Sequence, residues 1–177
     1  DIPLNEEGKN QATKAGIYLK NTKFSKAFSS SMKRPYETAK IIMGKNSDLK
    51  IEKIEELIEI NHGLWEGKLE EEIKEKWPEE LYKWKTSPKT VVMPAGESIK
   101  EVSDRAITAW ERICRSQLKD DITLVVAHDA VNKTLVCNIL GIEFYNIWMI
   151  KQGNGGVTVI DIFDDPKKDN ILSSLNI

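Results

Sequence analysis

Apolar positions along the chain switch between helical and alternating periods, and each switch marks an element. Leu4, Ala12, Ala15, Gly16 and Leu19 recur at helical spacing around Asn5, a polar N-cap, and predict a helix from Glu6 to Lys20. Phe24 to Ser29 alternates as a short strand. The turn Ser29-Ser-Ser-Met-Lys-Arg34 then leads to Pro35, whose fixed φ suits a first helical position ahead of Ala39, Ile41 and Ile42. From Leu49 to Ile60 both periods mix, and a strand ending near Ile51 is expected. Leu69, Ile73 and Trp77 line one helical face, Pro78 restarts the helix, and Leu81 and Trp84 continue the stripe. Ser98 with Glu101 reads as a capping box for a helix burying Ile99, Val102, Ala106, Ala109 or Trp110, and Ile113. The run Ile122 to Ala127 suits a strand buried on both faces, and a helix from Ala130 to Leu140 follows it, ending before Gly141. Val157 to Phe163 gives a last strand, after the Gly153-Asn-Gly-Gly156 turn, and the polar tail is expected to fray.

Strands alternating with helices predict a single α/β domain with three α/β/α layers and a mostly parallel central sheet. A chain of 177 residues can bury such a core without disulfide or metal. The formal charge of −2 and the pI near 5.8, with basic residues interspersed among acids, argue against a nucleic-acid surface or an anionic membrane. Cys114 and Cys137 both fall in predicted helices far apart in sequence, which points to free thiols and a reducing compartment. The sequence carries no signal-peptide pattern and no apolar run long enough to span a bilayer. Its two histidines, His62 and His128, belong to no ligand-spaced cluster, so neither a metal nor another cofactor is expected.

In an open parallel sheet, ligands bind at the carboxyl ends of the strands, and three candidates lie just past a predicted strand or turn. His128 stands between the Ile122 strand and its helix, whose first-turn N–H groups favour an anion. Its plainer reading is a core histidine within its own turn. Arg34 offers a planar fork for a phosphate or carboxylate, although one arginine in a serine-rich turn is more often a solvated surface residue. Glu59, in Leu57-Ile-Glu-Ile60, is a carboxylate in apolar company, where desolvation raises its pKa and fits it to donate a proton. The competing view places it outward on an alternating strand. Glu66 beside Trp65 suits the same acid role, and His62 next to Gly63 reads as structural.

Taken together, these stretches resemble the histidine phosphatase superfamily, also called the phosphoglycerate mutase-like family. Pro3-Leu4-Asn5 with Gly8 and Gln11-Ala12 is similar to its Pro-Leu-Thr-x-x-Gly-x-x-Gln-Ala segment. Ser29-Ser30 with Arg34, Thr38 and Ala39 resembles its Ser-Ser-Pro-Leu-x-Arg-Ala-x-x-Thr-Ala turn. Leu57 to Gly67 is similar to the stretch that carries a proton-donating glutamate in the phosphatase branch, Gly96-Glu97-Ser98 to the Gly-Gly-Glu-Ser loop, and Val125-Val-Ala-His128 to the strand delivering the second active-site histidine. The resemblance implies a phosphoglycerate mutase-like fold. It makes Glu59 and His128 the catalytic candidates and Arg34, Asp129 and Asn154 the substrate-binding ones.

The family's Arg-His-Gly motif, whose histidine becomes phosphorylated, lies upstream of the Pro-Leu segment. These 177 residues are therefore expected to lack the nucleophile and one central strand, and to be inactive by themselves. Asp129 stands where most members carry glycine; it is expected either to cap its helix through the Asn132 N–H or, aimed inward, to repel a phosphate. The form Ala-His-Asp-Ala-Val-Asn is similar to cyanobacterial and plastid members, some of them 2-carboxyarabinitol 1-phosphate phosphatases, which makes cytoplasm or plastid stroma the expected location. The implied activity is metal-independent hydrolysis of a small phosphorylated metabolite through a phosphohistidine. Phosphoglycerate mutase activity and a catalytically inactive binding domain are the alternatives. The Trp65-Glu66-Gly67 form and the short stretch to Pro94 favour the phosphatase branch, with specificity expected from Leu69 to Met93. Trp77 and Trp84 suit a core, a lid or a homodimer interface.

Overall fold

The apolar run before His128 forms a strand at the edge of a parallel sheet, and the rest of the fold is arranged about it. A computed structural model describes residues 1–44, 48–165 and 167–177. Its main sheet has strand order β2 (Ile51–Ile54), β1 (Lys26–Ser30), β3 (Thr123–Val126), all parallel. The register pairs Ser30 with Ile54 and Ser29 with Val126, so the three strands end together at one carboxyl edge. Helices precede, connect and follow them: α1 (Glu6–Tyr18), α2 (Lys33–Met43), α3 (Glu70–Lys76), α4 (Pro78–Thr86), α5 (Ile99–Arg115) and α6 (Asp129–Leu140).

Successive strand residues face opposite ways, which divides the burial between two sides. Phe28 and Val125 join the large core that contains Ile99, Val102, Ala106 and Ile113 of α5 and Val131, Leu135 and Cys137 of α6. Their neighbours Ala27 and Leu124 are buried outside that cluster, and α2 packs on β1 and β3 with α1 laid against it. This is the expected sheet flanked by helices.

Several local expectations hold, because capping chemistry is local. Asn5 Oδ1 accepts from Gly8 N–H at 2.8 Å. Ser98 Oγ accepts from Glu101 N–H at 3.2 Å while the Glu101 carboxylate accepts from Ser98 N–H at 2.8 Å, completing the capping box of α5. Boundaries shift elsewhere. Helix α2 begins at Lys33, two residues before Pro35, because Asp1 Oδ1 accepts the Lys33 N–H at 2.9 Å and extends the first turn. Strand β2 begins at Ile51 rather than ending there, since its ladder to β1 lies over 51–54. Helix α1 stops at Tyr18, and α6 starts at Asp129 instead of Ala130.

The tail departs most from expectation. The strand expected over Val157 to Phe163 narrows to β4 (Val159–Asp161), and the supposedly frayed tail supplies β5 (Ile171–Ser174), which pairs with it antiparallel in a separate two-stranded sheet. Pairing between strands close in sequence satisfies backbone groups that a polar composition alone assigns to solvent.

Two loops beside the sheet edge are joined through glycines. Leu64 N–H donates to Pro94 O and Glu97 N–H to Asn61 O, each at 2.8 Å. Gly63 has φ +56°, and a Cβ there would lie 2.2 Å from Pro94 O and 2.5 Å from Gly96 N. Gly63→Ala is therefore expected to cost about 1–3 kcal/mol, combining left-handed strain with backbone collision. Gly67→Ala, at φ +72° but in open space, should cost less. Urea unfolding of the two variants checks the order, and equal losses would show that the loops do not meet as described.

Candidate active site

The carboxyl edge gathers side chains from three separate connections. Ser30 ends β1, His128 follows β3 by two residues, and Glu59 comes after β2 and the 3-10 turn Glu55–Leu57. Glu59 thus leaves a loop, not the outward face of a strand. Burial of Leu57 and Ile60 on either side anchors it. Its Oε2 lies 3.8 Å from His128 Nδ1.

His128 is buried, and its Nε2 lies 3.1 Å from Ser30 Oγ. Met32 N–H donates to that same Ser30 hydroxyl at 3.3 Å. The hydroxyl keeps a second acceptor site and its own proton, so this contact alone fits either tautomer of the imidazole. Burial, with the charges of Arg34 and Arg105 added, pushes the His128 pKa down to about 4. The ring is then neutral at neutral pH, and the 3.8 Å approach to Glu59 is neither a hydrogen bond nor an ion pair.

Burial pushes the Glu59 pKa upward, and the Asp129 charge pushes it the same way. The Ile60 N–H, which donates to Glu59 Oε1 at 2.9 Å, and the charges of Arg34 and Arg105 oppose that rise without cancelling it. A carboxyl whose pKa is raised, next to a neutral imidazole, is suited to proton transfer.

Arg34, in the first turn of α2, is exposed, and its charge acts on both Glu59 and His128. No carboxylate pairs with it among the described residues, so its fork remains available to an incoming anion. Asp129 is the first residue of α6, not its cap; the Asn132 N–H donates to His128 O at 2.8 Å instead. The Asp129 carboxylate accepts from Lys133 Nζ at 2.9 Å, which offsets its repulsion of a phosphate while its charge still reaches Glu59. Asn154 is not bonded to the other four: it occupies an exposed turn with no hydrogen bond or ion pair to them among the described residues.

Glu66 is exposed and its charge acts on His62, not on the cluster. His62 is held in place by Met93 Sδ at 2.9 Å from its Nδ1 and by the edge of Trp84. Trp84 also meets Trp65 and Trp148, and Trp148 Nε1 donates to Trp84 O at 2.7 Å. Trp77 and Trp84 are partly buried against the main core, and the α3–α4 excursion is tied to the domain through this aromatic cluster.

Sequence reasoning passed over Ser30, Glu97 and Arg105 as functional residues. The Ser-Ser and Gly-Glu-Ser stretches were the available signals for the first two. Nothing local distinguishes Arg105 on α5, yet its guanidinium reaches Glu56 O, Ile58 O and Glu59 O as well as both oxygens of Glu97.

Comparison with known proteins identifies the family. The model of the histidine phosphatase superfamily (branch 1) matches residues 1–171, and the chain belongs to that family. It is 33% identical over 177 residues to phosphoserine phosphatase 1 of Hydrogenobacter thermophilus, covering all of this chain and 82% of that protein. It is 32% identical over 163 residues to 2-carboxy-D-arabinitol-1-phosphatase of Triticum aestivum, covering 92% of this chain but 32% of that protein. The chain thus spans about a third of the length of that plant relative. Among solved structures, Bacillus stearothermophilus YhfR superposes with a TM-score of 0.87 at 26% identity, covering 98% of this chain and 84% of that one. The fold is phosphoglycerate mutase-like.

Proposed function

We propose that the protein is a metal-independent phosphomonoester hydrolase acting on a small phosphorylated metabolite through a phosphohistidine. The observation that carries this reading is the meeting of Glu59 and His128, 3.8 Å apart, within the field of Arg34. The nucleophile in this reading is the histidine of an Arg-His-Gly segment N-terminal to Asp1. Asp1 Oδ1 accepts the Lys33 N–H, one residue from Arg34, which supports a nucleophile supplied from that side of the site.

In the first step the histidine nitrogen bonds to phosphorus as the ester P–O bond breaks, and the protonated Glu59 carboxyl gives its proton to the departing alkoxide. Arg34 grips equatorial phosphoryl oxygens, and His128 donates from Nδ1 to the oxygen on which charge develops. In the second step Glu59, now a carboxylate, takes a proton from water as the water oxygen bonds to phosphorus and the N–P bond breaks. Inorganic phosphate and the original histidine result. Asp129, paired with Lys133, stands at the pocket rim as a substrate contact, and Asn154 contributes only if the 153–156 turn closes over a substrate.

The two phosphatase relatives are named for carboxylated phosphoesters, which makes phosphoserine and 2-carboxyarabinitol 1-phosphate the first substrates to try. Mutase activity and a binding-only domain are the readings to exclude. The two thiols are free, and no helix among the described residues is long and apolar enough to cross a membrane. Cytoplasm or plastid stroma is the proposed location. The full-length protein is expected to release inorganic phosphate from these esters and from p-nitrophenyl phosphate, with isomerisation of 3-phosphoglycerate assayed in parallel. Isomerisation without net phosphate release would replace hydrolase by mutase, and phosphate binding without turnover would leave a binding domain.

A further inference from the structure

Glu59 stands in a loop, and a loop carboxylate needs something to hold it within proton-transfer distance of its partners. The 55–63 segment has no strand ladder beyond Ile54, so its backbone carbonyls must find partners elsewhere. Arg105 supplies partners for three of them. Its Nη1 donates to Glu56 O at 2.8 Å and Ile58 O at 2.7 Å, and its Nη2 to Glu59 O at 3.2 Å. The same guanidinium is held by Glu97, with Nε to Oε1 at 2.9 Å and Nη2 to Oε2 at 3.1 Å. Glu97 continues the connection, since its Oε2 accepts from Asn61 N–H at 2.8 Å and its own N–H donates to Asn61 O.

We infer that Arg105 is a positioning residue: clamped to Glu97, its guanidinium fixes the backbone from Glu56 to Glu59 and so sets the Glu59 carboxyl over His128. The inference deepens the proposed function and rests on the acid–base role of Glu59. Helix α5 gives the clamp a rigid base, since its buried stripe is fully packed in the main core. Arginine is required because three carbonyls and a bidentate carboxylate need a planar fork with five donors, which a lysine ammonium does not present. The phosphate-gripping Arg34 belongs to α2 and makes no bond to this clamp, so positioning of the acid and affinity for phosphate are separable.

The test uses the full-length protein with Arg105→Lys, Arg105→Met and Glu97→Gln. Wild type is assayed first, because failure to release phosphate from any ester would count against the proposed function and leave the clamp to be judged by hydrogen exchange. With an active wild type, Arg105→Lys is expected to lower kcat on an alkyl phosphate on the order of 10²-fold, the loss that a misplacement of about 1 Å brings. The inhibition constant for inorganic phosphate should stay within about twofold, because the lost interaction belongs to the transition state and not to ground-state binding. Amide exchange over 56–61 should accelerate in Arg105→Lys and Glu97→Gln while α5 stays protected. If Arg105→Met does not fold, the other two variants decide. Wild-type kcat in Arg105→Lys, a loss confined to phosphate affinity, or unchanged exchange over 56–61 would each overturn the inference.

Discussion

Replacing Glu59 by Gln in the full-length protein is expected to lower kcat on an alkyl phosphate by about 10²–10⁴-fold, the range that a positioned general acid supplies. Glutamine keeps the size of the side chain and still accepts from the Ile60 N–H, but it neither gives nor takes a proton. The loss should depend on the leaving group. p-Nitrophenolate departs without protonation, so the first step on p-nitrophenyl phosphate should suffer less than the same step on phosphoserine. Stability moves the other way. A pKa raised by burial means that Glu59 favours folding only while protonated, and its contribution is lost as pH rises through the folded-state value. At neutral pH the carboxylate form therefore opposes folding, and Glu59→Gln should melt no lower than wild type. Phosphorylation rates on the two esters and melting curves at pH 7 check the prediction together; equal losses on both esters would remove Glu59 from the acid role.

How much of this was legible in advance depends on the range of the interaction concerned. Asn5, Ser98 and Glu101 announced their helices because a cap is satisfied within four residues, and the structure closes those bonds where the pattern put them. The Ile122 run announced β3 for a similar reason, since a strand between helical layers has to be apolar along its length. Strand β2 was misplaced because its bounds are fixed by pairing with β1, a partner distant in sequence that no local period records. β5 was missed because polar residues satisfy a two-stranded ladder as well as they satisfy solvent.

The site divides along the same line. Arg34, Glu59 and His128 were findable as individual residues because each stands just past an element end, where parallel-sheet proteins assemble ligand sites. Their convergence follows from the register that aligns Ser30, Ile54 and Val126. Of the two alternatives for Asp129, the cap through Asn132 N–H does not form, because His128 O accepts that N–H and Lys133 one helical turn away takes the carboxylate. Arg105 gave no signal at all. An arginine on an amphipathic helix looks like any solvated charge until the loop it holds is seen beside it.

Substituting His128 by Gln should produce the second large effect, a fall in kcat of about 10²–10³-fold, as expected when one oriented donor to a developing oxyanion is lost. Such donation requires a neutral ring with its proton on Nδ1. In the proposed tautomer Ser30 Oγ, which accepts the Met32 N–H, donates its own proton to Nε2 and leaves the Nδ1 proton directed toward Glu59. Glutamine offers an N–H but not at the end of a rigid ring held by Ser30, and rotation about its extra torsions spoils the aim. The variant should also change the acid stability of the fold in a definite sense. A folded-state pKa of about 4 lies below the unfolded value near 6.5, so the stability linked to this histidine is present above about pH 6.5. It is lost as pH falls toward and through about 4, where the unfolded chain binds the proton more readily. His128→Gln should therefore flatten the decline of the melting temperature across that window while its activity collapses at every pH. A wild-type pH slope in the variant would place the titration elsewhere, and a kcat within a few-fold of wild type would take His128 out of the transition state.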